Sequence, residues 1–334
     1  MFFLDKAEYE KYLQKNEIEE YIPGQENYFN WTEDGYIKLE RNKFLKSNKD
    51  VSQYTNCMGW RLLSDGKTMV LIKRPFGDVY RNLSLENYYK SLYNNILLPQ
   101  VAKQFQISSA IYYLAKKDTK KKTRGYEQIY IVTKDFKDKD EELIHGEEIL
   151  AENETDINEL NINQLLDNII QYLEVNGYTN ANREQIKREF IKQSFFNRFV
   201  KQVDENNHNW ALLVDEFDKT ARIAPVYDLD CCCEIGKRGN HMRKTDDGST
   251  VSLDGFMRQY ENEEWFKKYV EELTKRLDIE QAFLDAQKET KFEIPDKYKE
   301  KYRDYLAVRR RELEEAYHKV YGEKQEIREN SEQR

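Results

Sequence analysis

The segment FVKQVDENNHNWALLVDEFDKTARIAPVYDLD, residues 199–230, decides how this chain is read. It opens at the apolar end of a helical pattern, in which Ile186, Phe190, Phe195, Phe199 and Val200 share one side of a helix expected over 182–203. A polar loop follows, with Asp204 and Asn209 five residues apart. Then come a strand (Trp210–Val214), a turn and a second strand (Arg222–Val226). Asp228 and Asp230 open the next loop. Taken singly, these features are ordinary: Asp and Asn favour turns, and an acid often closes a strand.

Upstream of this segment the pattern is richer in strands. Trp60–Leu63, the turn Ser64-Asp65-Gly66-Lys67 and Thr68–Lys73 read as a β-hairpin. Lys73 ends the apolar run Val70-Leu71-Ile72, and its ammonium needs either solvent or a polar partner. A helix is expected over about 84–105, from Leu92, Ile96, Leu97, Val101 and Phe105, with a kink or a break at Pro99. Strands at Ala110–Ala115 and Gln128–Thr133 follow. The link between them carries Lys116, Lys117, Lys120, Lys121, Lys122 and Arg124 and reads as a solvated hairpin tip. Residues 1–56 suggest a short helix near 5–15 and extended pieces punctuated by Tyr28, Phe29, Trp31 and Tyr36, with no role assigned.

Beyond about residue 134 the character turns helical. Leu165, Leu166, Ile169, Ile170 and Leu173 recur at helical spacing, and Gly177 is a stop signal. Residues 234–250 form a polar loop, in which Thr245, Ser249 and Thr250 are hydroxyls open to phosphorylation or, more plainly, common loop residues. Helical pattern resumes from 254 to about 321, broken near Pro295, and a charged tail occupies 323–334. The layout predicts an α+β protein in two lobes: an extension at 1–56, a strand-rich lobe at 57–134, a helical lobe at 135–322 with a strand pair inserted, and the tail.

Composition narrows the function classes. Aromatic residues make up 13% of 334, which supplies large core anchors despite a mean hydropathy of −0.94. A net charge of −8 argues against generic nucleic-acid binding, which needs clustered Lys and Arg. No apolar run approaches the roughly 20 residues that cross a bilayer, and the start MFFLDKAEYEKY lacks the basic and long apolar parts of a secretory signal. Cys57 and the run Cys231-Cys232-Cys233 contain no C-x-x-C pair and read as reduced thiols, with metal binding by the triplet as the rarer alternative. A cytoplasmic protein without direct nucleic-acid or membrane contact is expected.

One chemistry uses Lys73, Asp204, Asn209 and Asp228 in that order. Phosphoryl transfer from ATP needs a cation on the phosphates, hard oxygen ligands for Mg²⁺ and a group that orients the attacking hydroxyl. A strand Lys, a helix running into D-x-x-x-x-N, and a short strand pair ending in Asp supply these parts in the order found in kinases.

Residues 199–230 resemble the catalytic segment of HipA-like serine/threonine kinases, in which a D-x-H-x-x-N loop precedes a strand pair and a P-x-Y-D step. Val70–Pro75 (VLIKRP) resembles that family's ATP-lysine strand, and Asp135–Leu150 resembles its stretch after the hinge. The helical region around Arg309-Arg310-Arg311-Glu312-Leu313 is similar in tone only. The resemblance spans about 60–320 and implies a two-lobed protein-kinase-like fold. It makes Asp204 the catalytic base, Lys73 the phosphate-binding cation, and Asn209 and Asp228 the Mg²⁺ ligands, with Asp228 preferred over Asp230. The adenine of ATP would meet backbone near Val132, Thr133, Lys134 and Asp135. A protein with a Ser or Thr acceptor is the implied substrate, and a small antitoxin is an implied partner.

The chain departs from that pattern in three places. Asn206 stands where the family has His, and His208 is out of register. The helix that should supply a Glu to Lys73 has Asn94, Asn95 and Gln100, with Glu86 too far upstream unless the helix shifts. The phosphate-covering loop Thr55-Asn56-Cys57-Met58-Gly59 has one Gly. These departures motivate a rival reading as a nucleotide-binding pseudokinase or scaffold. The kinship of the fold with lipid kinases motivates another, with a small molecule or lipid as acceptor.

Overall fold

Short runs rich in Tyr, Ile and Val become strands. The structure, a computed structural model, describes residues 32–39, 57–62, 69–74, 84–117, 122–123, 126–127, 129–134, 136–138, 140–153, 160–204, 207–233 and 252–322. Strands β1 (Ile37–Leu39), β2 (Cys57–Leu62), β3 (Met69–Lys73), β4 (Tyr112–Lys117) and β7 (Ile129–Lys134) form a five-stranded sheet in the order β1-β4-β7-β3-β2. The β1–β4 pair is parallel and the other pairs are antiparallel. The expected β2–β3 hairpin is present, while its turn at 64–67 lies outside the described residues. Within the Lys-rich link, β5 (Lys122–Thr123) pairs with β6 (Tyr126–Glu127), as a hairpin tip should.

Side chains alternate between the two faces of this sheet. Tyr112, Leu114, Ile129 and Ile131 join the main core, whereas Ile37, Val70, Ile72, Tyr113, Ala115, Tyr130 and Val132 form a separate cluster on the other face. Both faces are therefore buried, which is why β7 reads as an unbroken apolar run. Strand β1 comes from the stretch to which the sequence assigned no role. Its lead-in, Gly35, has φ +78° and lies so close to the Lys291 backbone that a Cβ would overlap the Lys291 carbonyl.

Helix α1 (Leu85–Gln104) starts at Ser84, whose hydroxyl accepts from the Asn87 N–H at 3.2 Å. Every residue from Ser91 to Ala102 is buried, so the helix is packed on all sides. It is one continuous helix, not two pieces. Pro99 removes a single backbone donor, and the surrounding packing holds the turn together.

A second difference follows β7. Residues expected to be helical include a strand, β8 (Glu141–His145), before the short helix α2 (Gly146–Glu152). Strands β9 (Ala211–Asp215) and β10 (Thr220–Ile223) complete a three-stranded sheet ordered β10-β9-β8. Only Leu143 of β8 is buried, so its strand character comes from pairing with distant β9 and leaves little local signal. Along β9, Leu212 and Val214 face the main core, while Ala211 and Leu213 pack with Leu143 and Ala224.

Helix α3 (Ile162–Val175) buries Leu165, Leu166, Ile169 and Leu173 and is followed by Gly177 at φ +71°, as expected. Helix α4 (Arg183–Phe199) ends earlier than the expected 203. The Lys201 N–H donates to the Arg198 carbonyl at 3.3 Å, the Gln202 N–H donates to the Asn197 carbonyl at 2.9 Å, and Lys201 has φ +48°. This is a Schellman ending with Lys where Gly is usual, so the stop is silent in the sequence. Helices α5 (Leu253–Gln259), α6 (Glu264–Arg276), α7 (Ile279–Thr290) and α8 (Asp296–Tyr317) complete the chain, with Pro295 at the start of α8 and a π turn at His318–Gly322. The sequence-expected helix near 5–15, the 234–250 loop and the 323–334 tail lie outside the described residues.

Buried Arg309 of α8 closes the end of α4. Its Nε donates to the Phe199 carbonyl at 2.7 Å and its Nη2 to the Arg198 carbonyl at 2.8 Å, while Nη1 pairs with Glu312. A guanidinium on helix-terminal carbonyls also complements the helix dipole. Arg309→Met leaves both carbonyls buried without that donor, and chemical denaturation should show a loss of about 3 kcal/mol. A loss under about 0.5 kcal/mol would mean that the contact does not hold the α4 end.

Candidate active site

Lys73 is the first component. Val70 and Ile72 turn to one face of the sheet, so Lys73, opposite Ile131, turns to the other. Its residue is only 6% exposed, and its Nζ lies 2.5 Å from Asp228 Oδ1, 3.2 Å from Asp230 Oδ1 and 5.5 Å from the centre of the Tyr112 ring. Burial works against the ammonium charge, but the carboxylates of Asp228 and Asp230 outweigh it and hold the Lys73 pKa well above its ordinary value. Lys73 therefore carries its charge inside the protein.

Both acids sit on one tight turn after β10. Asp228 has left-handed backbone (φ 57°, ψ 54°) and begins a 3-10 turn at Leu229–Cys231. Two side chains hold its backbone: the Asp228 N–H donates to the Tyr112 hydroxyl at 3.0 Å, and Gln202 Nε2 donates to the Asp228 carbonyl at 2.8 Å. The two carboxylates differ in access, since the Asp228 side chain is 36% exposed and that of Asp230 only 2%. A ligand entering from solvent can reach Asp228 and not Asp230. Burial, opposed by Lys73, pushes the Asp230 carboxyl up to about 6.

The loop between α4 and β9 lies beside this turn. The Asp204 N–H donates to Gln202 Oε1 at 3.4 Å, so Gln202 bridges the backbones of Asp204 and Asp228. Asn209 Nδ2 donates to the Asp204 carbonyl at 2.6 Å. The Asn209 amide oxygen has no partner among the described residues and is a hard ligand of the type that small divalent cations take. The Tyr227 hydroxyl donates to the His208 carbonyl at 2.8 Å, which ties the neighbour of Asp228 to the neighbour of Asn209. Beneath the loop, Gly146 accommodates the buried Trp210 indole, which any Cβ at that position would overlap.

The other residues singled out in the sequence have these positions. Thr133 shares the Lys73 face, whereas Val132 packs on the far face and Lys134 Nζ lies 5.9 Å from the centre of the far-face Tyr113 ring. Strand β7 runs between β3 and β4, which pair with Val132 and Thr133 on both sides, while Lys134 is paired only with β3. Asp135 and Asn206 lie outside the described residues. Glu86 does not approach Lys73 and instead pairs with Lys301 at 2.5 Å. Cys57 and Gly59 belong to β2, with an irregularity between them. Cys231, Cys232 and Cys233 are free and buried, burial raises the Cys231 and Cys232 thiols, and no metal-binding cluster of His, Cys, Asp or Glu occurs among the described residues. Gln202, Tyr112 and Tyr227 were not picked out as site residues. Each is an ordinary polar or aromatic residue whose partner lies elsewhere in the chain, and only Tyr227 had a local signal, its place before Asp228.

The fold is similar to that of a solved kinase. The chain superposes on the crystal structure of the Helicobacter pylori proinflammatory kinase CtkA with a TM-score of 0.61 at 14% identity, covering 85% of this chain and 98% of that one. HipA of Shewanella oneidensis MR-1, solved in complex with HipB and its operator DNA, matches with a TM-score of 0.47 at 13% identity, over 78% of this chain and 60% of HipA. No family model matches the sequence, and no curated protein does. The kinase resemblance read in residues 199–230 is thus borne out at the level of the fold. Among the described residues, no helix is long and apolar enough to cross a membrane.

His145 makes the loop contacts sensitive to pH. Its Nδ1 lies 3.1 Å from the Tyr227 hydroxyl and 3.2 Å from the His208 carbonyl, and burial lowers its pKa. Burial favours the neutral ring. Its stabilisation is complete above the ordinary value of 6.5 and is lost as pH falls through the lowered folded-state value. His145→Gln should therefore flatten the fall of melting temperature between about pH 7 and pH 5. Parallel profiles for variant and wild type would remove His145 from this role.

Proposed function

We propose that this chain is an ATP-dependent, HipA-like kinase that transfers the γ-phosphoryl group to a Ser or Thr hydroxyl of a protein. One observation carries the reading: a buried Lys73 ammonium from the five-stranded sheet meets Asp228, whose turn is tied through Gln202 and Tyr227 to the loop of Asp204 and Asn209. In this reading the strand-rich lobe is residues 57–134 with α1, joined at the sheet edge by β1 from residues 37–39, and the helical lobe with its three-stranded sheet is residues 135–322. An antitoxin-like partner belongs to the same reading and rests on the sequence resemblance.

Each residue has a distinct task. Lys73 neutralises charge on the ATP phosphates, and of the backbone expected to meet the adenine the part from Lys134 onward is the part not paired on both sides within the sheet. The exposed carboxylate of Asp228 and the Asn209 amide oxygen fit a small hard cation and would hold Mg²⁺, which supplies charge neutralisation at the transferred group. Asp204 orients the acceptor hydroxyl and takes its proton late, as the new oxygen–phosphorus bond forms and the bond to ADP breaks. Positioning and charge stabilisation account for most of the rate.

Transfer of label from γ-labelled ATP to protein, with and without Mg²⁺, tests the reading. Wild type should transfer label only with Mg²⁺, and Asp204→Asn should lose at least about 100-fold. Equal activity in the two proteins would remove Asp204 from the mechanism. Nucleotide-dependent thermal stabilisation without any transfer would favour the pseudokinase reading, and label appearing only in metabolite or lipid extracts would move the acceptor out of the protein class.

A further inference from the structure

The positions on α1 where an acid for Lys73 was expected are Asn94, Asn95 and Gln100, all buried. The structure nevertheless gives Lys73 a second carboxylate. Asp230 Oδ1 lies 3.2 Å from Lys73 Nζ and also accepts a hydrogen bond from Asn95 Nδ2. Asn95 is anchored to its own helix, donating from the same nitrogen to the Ser91 carbonyl at 2.8 Å. Asn94, one residue earlier, donates to the carbonyls of Cys232 at 3.0 Å and Asp230 at 3.4 Å, while its own oxygen accepts from the Tyr302 hydroxyl at 2.7 Å. The 3-10 turn is thus clamped to α1 by two neighbouring amides. We infer that Asp230, held by Asn95, is the positioning residue for Lys73, so that an acid on the turn does the work usually given to an acid on the helix.

The energetics separate this role from a structural one. Asp230 Oδ2, Asn95 Oδ1 and Ser91 Oγ are buried with no hydrogen-bond partner. A buried carboxylate with one bare oxygen is a poor stabilising device, since burial of its charge is only partly compensated. A neutral side chain of the same shape removes that penalty. What the neutral side chain cannot do is draw a second side of the ammonium toward α1. When Asp228 turns to other ligands, Asp230 is the remaining carboxylate on Lys73, and it is the one out of solvent's reach. The arrangement also makes the placement of Lys73 depend on where α1 sits, through Asn95.

The inference rests on the kinase reading above, and its test keeps the two separable. Asp230→Asn should retain or raise the melting temperature of wild type, leave the KM for Mg²⁺·ATP within about threefold, and lower kcat by about 100-fold, the scale of an ångström-level misplacement. Returning the charge from the helix side, Asn95→Asp combined with Asp230→Asn, should restore most of kcat. Unchanged kcat in Asp230→Asn, a loss of kcat that follows a lowered melting temperature, or no rescue in the double variant would each overturn the inference. A readout without turnover covers the case of an inactive wild type. With ¹⁵Nζ-labelled lysine, the ammonium resonance that is missing in Lys73→Arg should move in Asp230→Asn and return in the double variant. If that pattern appears while wild type transfers no phosphate, the kinase reading fails and the pairing stands. If the resonance ignores Asp230, the pairing itself fails.

Discussion

An ammonium group inside a protein must be paired, and Lys73 is paired with residues 155 and 157 positions further along the chain, Asp228 and Asp230. That contact fixes the sheet against the turn after β10. The turn in turn carries the loop between α4 and β9 through Gln202 and Tyr227, and it carries α1 through Asn94 and Asn95. Removing the Lys73 charge would leave buried Asp230 and part-exposed Asp228 without the cation between them. The rest of the site can be described as the set of contacts that keep this one in place.

Those contacts reach well beyond the charged residues. Arg309 closes the end of α4, the Schellman turn at Lys201 redirects the chain, and Gln202 then faces Asp228. On the other side, Gly146 lets Trp210 sit beneath Asn209, and Tyr112 of β4 accepts the N–H of Asp228. Helix packing, a backbone turn and a ring in the core therefore all set the geometry of a few polar atoms. The Cys231–Cys233 run belongs to this support: its thiols are buried, and the carbonyl of Cys232 accepts from Asn94.

Much of this was legible in the sequence where the signal is local. The β2–β3 hairpin, α3 with its Gly177 stop, the β9–β10 pair and the Pro295 break follow from periodicity and turn residues. The order of Lys73, Asp204, Asn209 and Asp228 was readable for the same reason, and the structure puts Lys73 against Asp228. Features set by distant partners were not readable. Strand β8 has one buried residue and is a strand because β9 lies beside it. Pro99 looks like a break until the packing around α1 is known, and α4 stops at a lysine that carries no stop signal. The missing helix acid could be seen as an absence, but its replacement by Asp230 depends on a contact across 135 residues.

In the proposed function, Lys73, Asp228 and Asn209 line one triphosphate site. A crystal structure with Mg²⁺ and a non-hydrolysable ATP analogue addresses it directly. Phosphate oxygens should lie within hydrogen-bonding reach of Lys73 Nζ, with a metal ion coordinated by Asp228 and Asn209. Nucleotide bound elsewhere, or bound here with its phosphates away from Lys73, would contradict it.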